Sequence, residues 1–137
     1  MGTRPAILFA CVHNSGRSVA AAALARHHAG NDVDVRSAGS EPGDGVNPAV
    51  AHVLAERGVH VGGHTPTALE PGMVAAADVV VTMGCGESCP VFPGKRYEDW
   101  PVADPAGRPV DEVRRVVDDI DVRVQRLLRD VLRSTQR

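Results

Sequence analysis

The feature that most constrains this chain is a short loop between an apolar run and an alanine-rich run near its start. The apolar run, 6–10, predicts a buried strand, and the alanine-rich run, 19–28, predicts a helix. The loop begins at Cys11 and ends with Arg17 and Ser18. Such a turn can curl its backbone N–H groups around an anion, and the start of the following helix adds partial positive charge. We therefore expect an oxyanion site at the end of the first strand.

The loop contains both a nucleophile and a charge partner for an oxyanion. The positive field that favours an anion also favours the thiolate form of Cys11, which is the nucleophilic form of cysteine. Arg17, six positions later, can present a bidentate fork to a tetrahedral oxyanion. A buried, inert cysteine beside a solvated arginine is the alternative, and the small and polar residues between them argue against it. The predicted anion-binding set is Val12, His13, Asn14, Ser15, Gly16 and Arg17.

Support for this loop is predicted from a turn of small residues further along the chain. The turn 37–40 consists of serine, alanine and glycine, which would let it pass close to the loop. Asn14 tolerates a left-handed conformation, and a serine hydroxyl, for which we name Ser37, could brace its side chain. An ordinary turn over 37–40 is an equally open interpretation.

Length and composition fit one domain and exclude several classes of protein. The 137 residues can bury one core, so we predict a single domain over 1–137. The formal charge of -2 argues against a general nucleic-acid binder. No apolar stretch is long enough to span a bilayer and no signal peptide is recognisable, so we expect a cytoplasmic protein, and we expect a monomer. Three cysteines, an odd number, argue for reactive or metal-binding thiols over a disulfide framework.

Strand and helix patterns alternate along the chain. Strands are predicted over 4–10, 32–36, 78–83 and 95–100, and helices over 17–29, 47–57, 68–77 and 110–133. The third strand is continuous in β-branched residues, which is typical of a strand buried on both faces of a parallel sheet. The alternation predicts an α/β fold with a parallel sheet, in which ligands bind at the carboxyl ends of the strands.

A thiolate that attacks a tetrahedral oxyanion needs a proton donor for the leaving oxygen. Asp104, followed by Pro105 in a late loop before the last helix, is the best candidate. Asp-Pro is also a common turn pair, which is the alternative interpretation.

Neither the histidines nor the other cysteines make a convincing metal site. His60 and His64 are four apart, but the glycines between them disfavour the helix that would bring them together. Cys85 and Cys89 are only two thiols, whereas a structural zinc site usually has four ligands. No metal is therefore predicted. Cys85 and Cys89 are within disulfide reach in a helical turn, so a redox pair and a pair of inert thiols both stay open.

The spacing of Cys11, Arg17 and Ser18 resembles the signature of the low-molecular-weight protein tyrosine phosphatases and of the arsenate reductases that share their fold. The two-cysteine segment 81–90 is similar to the redox segment of thioredoxin-coupled arsenate reductases. The resemblance spans nearly the whole chain and includes 37–39, 64–66, Trp100 and 104–107. It implies a three-layer α/β sandwich around a four-stranded parallel sheet with flavodoxin-like topology, and it implies arsenate reductase activity.

The resemblance also implies a role for each thiol. Cys11 would attack arsenate, while Arg17 holds its oxygens and Asp104 protonates the departing oxygen. Cys85 would then attack Cys11 and release arsenite, and Cys89 would take over the disulfide. A thioredoxin-like partner would reduce that disulfide, so an external thiol reductant and no bound cofactor are implied.

Further implications of the resemblance concern support and recycling. Ser18 would donate a hydrogen bond to the Cys11 thiolate. Relatives with a potassium site carry a glutamate shortly after the signature serine, whereas 19–23 here is valine and alanine, so no potassium site is expected. Cys85 and Cys89 are also closer together than in the best-known relatives. A related branch uses only the nucleophile, with mycothiol and a mycoredoxin-like partner completing the reduction.

Two other functions compete with arsenate reduction. The first is a phosphatase for phosphotyrosine or another phosphomonoester, in which Cys85 and Cys89 would protect Cys11 from oxidation. Phosphatases of this kind carry aromatic residues around the cleft, for which only Tyr97 and Trp100 are candidates. The second is a non-catalytic oxyanion-binding module, which is disfavoured because nucleophile, arginine, serine and acid occur together.

Overall fold

The structure is a computed structural model that describes residues 4–84 and 95–135. Four strands and four α-helices alternate along the described chain, with one short 3-10 turn after the first helix. In order they are β1 (Ala6–Cys11), α1 (Arg17–Ala29), the 3-10 turn (Gly30–Asp32), β2 (Asp34–Gly39), α2 (Pro48–Glu56), α3 (Pro71–Ala76), β3 (Val79–Met83), β4 (Arg96–Asp99) and α4 (Val110–Thr135).

The four strands form one parallel sheet in the order β2-β1-β3-β4. β1 lies in the middle, and its last residue, Cys11, pairs with Gly39 of β2 on one side and with Met83 of β3 on the other. Three carboxyl ends therefore meet at one edge of the sheet. This architecture confirms the predicted α/β class and places Cys11 where ligands bind in folds of this kind.

Helices cover both faces of the sheet and create two cores. Ile7 and Phe9 of β1 face a large core shared with α1, α2 and α4. Leu8 faces a smaller core with Val74 of α3 and Val80 of β3. Successive residues of a strand point to opposite faces, so a central strand in a three-layer sandwich must be apolar throughout. That requirement explains the unbroken apolar run that opens the chain.

The alanines of α1 let this helix lie buried between the sheet and α4. Residues 18–25 are all buried, and small side chains permit the close approach of neighbouring elements. α4 instead buries one apolar stripe, which includes Val113, Val117, Ile120 and Val124. Its charged residues occupy the remaining faces, as the helical spacing predicts.

Two elements, β2 and α3, differ from their predicted bounds by three residues at one end, and the others differ by at most two. β2 begins at Asp34 and continues to Gly39, because the small residues that were expected to form a turn keep pairing with β1 up to Cys11. α3 begins only at Pro71, since Ala68 is drawn to the sheet edge by a parallel bridge to Gly39. Both differences tighten the packing around the end of β1. No helix in the described part of the chain is long and apolar enough to cross a membrane.

Candidate active site

The loop between β1 and α1 has its carbonyl oxygens held outward by the segment that follows β2. Backbone N–H groups of that segment donate to four loop carbonyls. The pairs, donor first, are Ser40 to Cys11 at 3.1 Å, Glu41 to Val12 at 2.7 Å, Gly43 to His13 at 3.0 Å and Asn47 to Ser15 at 2.8 Å. A trans peptide directs its C=O and N–H to opposite sides, so the N–H groups of 12–14 and of 16 turn toward the inside of the loop.

The N-terminus of α1 opens into the same loop without a side-chain cap. Gly16 is the N-cap residue, and no acidic residue lies in the first turn of α1. The first N–H groups of a helix lack partners within it, and together they attract an anion. The inward N–H groups of the loop and the free end of α1 therefore form one electropositive cradle beside Cys11.

Close packing of Gly39 against the loop holds the cradle in shape. A Cβ at Gly39 would lie 2.7 Å from the carbonyl oxygen of Val12 and 2.8 Å from the backbone nitrogen of Asn14. Asn14 itself has a φ of 51°, in the left-handed region, as its residue type allows. The end of β2 thus passes as close to the loop as its small residues predicted.

The Cys11 thiol is buried and receives two hydrogen bonds. Its Sγ lies 2.9 Å from Ser18 Oγ and 3.3 Å from the backbone nitrogen of Asn14. The N–H of Thr67 donates to Asn14 Oδ1 at 3.0 Å, which fixes the orientation of the side-chain amide. Asn14 Nδ2 then donates to Ser18 Oγ, 2.7 Å away. When Cys11 is a thiolate, its sulfur can only accept, and the Ser18 hydroxyl is in place to donate to it.

His64 also supports Asn14, and it was not among the predicted site residues. Its Nε2 lies 3.1 Å from Asn14 Oδ1, which can only accept, so Nε2 carries the proton. The sequence signal for this residue was present in the resemblance over 64–66, but its role depends on a contact across fifty positions. Thr67 was missed for the same reason, since its contribution is a backbone N–H.

Ser37 does not brace Asn14, in contrast to the prediction. Among the residues that the structure describes, the side chain of Asn14 bonds to Ser18, His64 and Thr67 only. Ser37 pairs with Phe9 in the sheet and its side chain lines a separate cavity beside α1. The serine that supports the asparagine is Ser18.

Arg17 lies across the cradle between two other loops. Its side chain is 12% exposed; Nη1 lies 3.5 Å from the carbonyl oxygen of Val102, and Nη2 lies 3.8 Å from Asp104 Oδ2. The guanidinium also lies close to Gly84, where a Cβ would overlap it and lie 3.0 Å from Cζ. Gly84 has a φ of 86°, a conformation that favours glycine. Arg17 is thereby held on both sides.

Asp104 stands at the rim of the cleft above the cradle. Its carboxylate is 55% exposed, and its Oδ1 accepts the N–H of Ala106 at 3.0 Å. Pro105 packs on the loop, where a Cβ at Gly16 would lie 3.0 Å from its Cγ. The cleft has a volume of about 50 Å³ and is lined by Cys11, Arg17 and Asp104 among others. The structure therefore brings the predicted nucleophile, arginine and acid together.

No phenylalanine, tyrosine or tryptophan lines this cleft in the described part of the chain. Trp100 is 5% exposed and packs on Phe9 with ring centroids 5.8 Å apart. Tyr97 packs on the opposite face of the sheet, against the core of Leu8 and Val80. Neither aromatic candidate can therefore shape a phosphotyrosine cleft here.

Cys85 and Cys89 lie outside the described residues. The described chain ends before them at Gly84, directly after β3. Among described residues, no group of three or more histidine, cysteine, aspartate and glutamate side chains forms a metal site.

The low molecular weight phosphotyrosine protein phosphatase family matches residues 6–137 of this chain. The chain belongs to this family. It is 34% identical over 127 residues to an arsenate reductase of Staphylococcus aureus, covering 90% of this chain and 95% of the relative.

Solved structures of the family include both reductases and phosphatases. A thioredoxin-dependent arsenate reductase of Corynebacterium glutamicum is 41% identical with a TM-score of 0.86 over 97% of this chain, and this chain spans only 64% of that longer protein. An arginine phosphatase of Geobacillus stearothermophilus is 27% identical with a TM-score of 0.82, and the match covers 96% of this chain and 95% of the phosphatase chain.

Replacing Gly39 with alanine should displace the loop. Its Cβ would meet backbone atoms, which cannot rotate away, and overpacking of this kind costs about 1–3 kcal/mol. We expect a lower melting temperature and loss of protection by phosphate against alkylation of Cys11. The control is Gly45→Ala, because no atom lies within 4 Å of a Cβ there. Equal behaviour of the two variants would contradict the close packing.

Replacing Ser18 with alanine should slow alkylation of Cys11 by iodoacetamide near neutral pH by roughly tenfold, because the thiolate loses a hydrogen bond worth about 1.5 kcal/mol. Ser18→Thr keeps the hydroxyl and is the matched variant. If Ser18→Ala reacted as fast as the unchanged protein, the inferred direction of the bond would be wrong.

Replacing Gly84 with alanine should weaken anion binding at the cradle, because the new Cβ displaces Arg17. We expect the phosphate dissociation constant to rise about tenfold, as for loss of about 1.4 kcal/mol of a charge-assisted hydrogen bond. Gly58→Ala is the control, since its φ of 75° adds similar backbone strain with no atom within 4 Å. In an Arg17→Lys background the Gly84→Ala effect on phosphate affinity should shrink. If Gly84→Ala lowered the phosphate affinity just as much in the Arg17→Lys background, the effect would not depend on the Arg17 guanidinium.

Proposed function

We propose that this chain is an arsenate reductase in which Cys11 is the nucleophile and Cys85 and Cys89 carry the disulfide. The observation that carries the proposal is the contact between Arg17 and Gly84. Gly84 is covalently joined to Cys85, so the residue that holds the oxyanion touches the chain that leads to the second thiol. The arsenate reductase relatives support the same activity, and so does the lack of phenylalanine, tyrosine and tryptophan among the described residues that line the cleft.

In the first step, the Cys11 thiolate attacks the arsenic atom of arsenate. A sulfur–arsenic bond forms and an arsenic–oxygen bond breaks, and the oxygen leaves as water after Asp104 supplies a proton. The inward N–H groups of 12–14 and 16 and the Arg17 guanidinium hold the remaining oxygens. The Ser18 hydroxyl lies 2.9 Å from the attacking sulfur and can donate a hydrogen bond to the thiolate. Phosphate fits the same cradle, so this step alone does not select arsenate.

In the second step, the Cys85 thiolate attacks Cys11 Sγ in the adduct. A disulfide forms, and the electron pair of the sulfur–arsenic bond passes to arsenic, which leaves as arsenite. The register supports this encounter because Met83 lies directly opposite Cys11. Adjacent strands are about 4.8 Å apart, and the two residues from Met83 to Cys85 span at most about 7 Å.

In the last step, Cys89 attacks Cys85, forms the Cys85–Cys89 disulfide and releases the Cys11 thiol. An external dithiol then reduces that disulfide by exchange. We assign this role to a thioredoxin-like protein, because a similar solved structure is named as thioredoxin-dependent. A mycothiol and mycoredoxin-like system that uses Cys11 alone is the alternative reductant.

A phosphatase is the second candidate, because a similar solved structure is named as an arginine phosphatase and the cradle with Asp104 fits a phosphoryl group equally well. Such an enzyme would hydrolyse the Cys11 adduct with water and would not need the other two thiols. The third possibility, an oxyanion-binding module without catalysis, is disfavoured by an acid and a hydrogen-bonded thiol in one cleft.

The reductase is tested by following NADPH oxidation with arsenate in two coupled systems, thioredoxin with its reductase and mycothiol with mycoredoxin. We expect arsenate-dependent turnover with thioredoxin, and hydrolysis of an aryl phosphate far slower than arsenate reduction. No turnover with either system, together with fast phosphomonoester hydrolysis, would favour the phosphatase.

The relay is tested by counting arsenite released per enzyme in the absence of a reductant. The unchanged protein and Cys89→Ser should each release one arsenite, since Cys85 can still attack Cys11, whereas Cys85→Ser should release none. Cys11→Ser is the blank. Turnover with thioredoxin that survives both Cys85→Ser and Cys89→Ser would rule out the internal relay.

A further inference from the structure

A cavity of about 270 Å³ lies between α1, β2 and the loop 60–64, and it shares no lining residue with the cleft above Cys11. Its walls include Arg26 of α1, Ser37 of β2, and His60 and His64 of the loop. The reaction steps proposed above take place outside this cavity, and none of its lining residues is a reacting group in them.

The polar groups of this cavity have capacity left for a ligand. Ser37 is 8% exposed, and its hydroxyl makes no hydrogen bond to another residue that the structure describes. Arg26 donates one bond, from Nη2 to the carbonyl oxygen of Val35 at 2.9 Å, and has no salt bridge within the described ranges. Partial burial lowers the pKa of Arg26 from the usual value for arginine, and the negative charge of Asp34 opposes that shift. A ligand that accepts hydrogen bonds would satisfy both groups.

The donor set fits an anion and does not fit a cation. None of the described lining residues is a carboxylate, whereas hard cations bind to oxygen ligands that are usually charged. The guanidinium, the hydroxyl and the imidazole of His60 can each donate to oxygens, whereas the Nε2–H of His64 already donates to Asn14. Arginine in particular suits the planar or tetrahedral geometry of an oxyanion.

The cavity is connected to Cys11 through one ring. His64 lines the cavity, and its Nε2–H donates to Asn14 Oδ1. Asn14 in turn donates to Ser18, which donates to Cys11. The other ring nitrogen, Nδ1, can donate to an oxyanion in the cavity only when the ring carries a proton on both nitrogens, so an anion would act on His64 by favouring that charged ring. A ligand there would act on the hydrogen bond that fixes the side chain of Asn14.

We propose that this cavity is a second anion site, for a small oxyanion held by Arg26 and Ser37, and that its occupancy is sensed by Asn14 through His64. The site is separate from the cradle that binds the substrate, and the proposal does not rest on the reductase activity. Its chemistry is that of inorganic sulfate or phosphate, or of a small carboxylate.

The test is an NMR titration of Arg17→Gln, in which the cradle has lost its charged ligand. Choline sulfate is added, with choline chloride at the same ionic strength as the reference, and the ring signals of His64 and the side-chain amide signals of Asn14 are followed. We expect saturating shifts of both sets of signals. Phosphate and acetate in place of sulfate distinguish a tetrahedral oxyanion from a carboxylate as the preferred ligand.

Second variants locate the binding. Arg17→Gln/Arg26→Gln should lose the shifts, Arg17→Gln/Ser37→Ala should weaken them by several-fold in affinity, and Arg17→Gln/Arg129→Gln, changed on the surface of α4, should keep them. In Arg17→Gln/His64→Ala, sulfate should still bind, but the side-chain amide signals of Asn14 should no longer shift.

Three results would overturn the proposal. The first is an absence of saturating shifts in Arg17→Gln, and the second is shifts that persist in both the Arg26→Gln and the Ser37→Ala double variants. The third is a response when potassium chloride is titrated in place of choline sulfate, if choline sulfate itself gives none. Each concerns binding alone, so none depends on whether arsenate is reduced.

Discussion

The hydrogen bond from the Thr67 N–H to Asn14 Oδ1 fixes the orientation of the side-chain amide that supports Ser18 beside Cys11. A backbone N–H can only donate, so Asn14 Nδ2 donates to Ser18 Oγ, and the Ser18 hydroxyl can donate its proton to the sulfur of a Cys11 thiolate. Inward N–H groups repel one another, and a loop built from them needs external support. The bonds from Ser40, Glu41, Gly43 and Asn47 to the loop carbonyls supply it.

The parallel sheet makes that support possible. Because Gly39 and Met83 both pair with Cys11, the segments that follow β2 and β3 begin on either side of the nucleophile. The first segment donates hydrogen bonds to the loop carbonyls, and the second begins with Gly84, which lies beside the Arg17 guanidinium. The central position of β1 therefore decides which parts of the chain can act on the thiol.

Those parts of the molecule that depend on local pattern were predictable from the sequence. The apolar run of β1, the alanines of α1 and the spacing from Cys11 to Arg17 predicted the fold and the cradle, because each is a property of neighbouring residues. The contributions of His64 and Thr67 depend on a fold that brings distant backbone and side chain to Asn14. The sequence predicted that Ser37 braces Asn14, whereas the structure shows Ser18 in that role, again because the contact depends on the fold. Both serines are near the loop, and only the sheet register shows that Ser37 faces α1.

A cradle of this kind binds phosphate and arsenate with the same contacts, so the substrate is selected after the first covalent step. Water can hydrolyse an adduct on Cys11 whichever element it holds, but only a thiol can remove the sulfur and leave the electron pair on arsenic. The outcome depends on whether a second thiol reaches Cys11 Sγ before an activated water does. The contact between Gly84 and the Arg17 guanidinium ties the start of the two-cysteine segment to the group that binds the oxyanion. In the relay that we propose, Cys85 directly follows Gly84 in sequence, so the second thiol belongs to the chain that leaves the Arg17 guanidinium, and the same cradle can serve a reductase or a phosphatase.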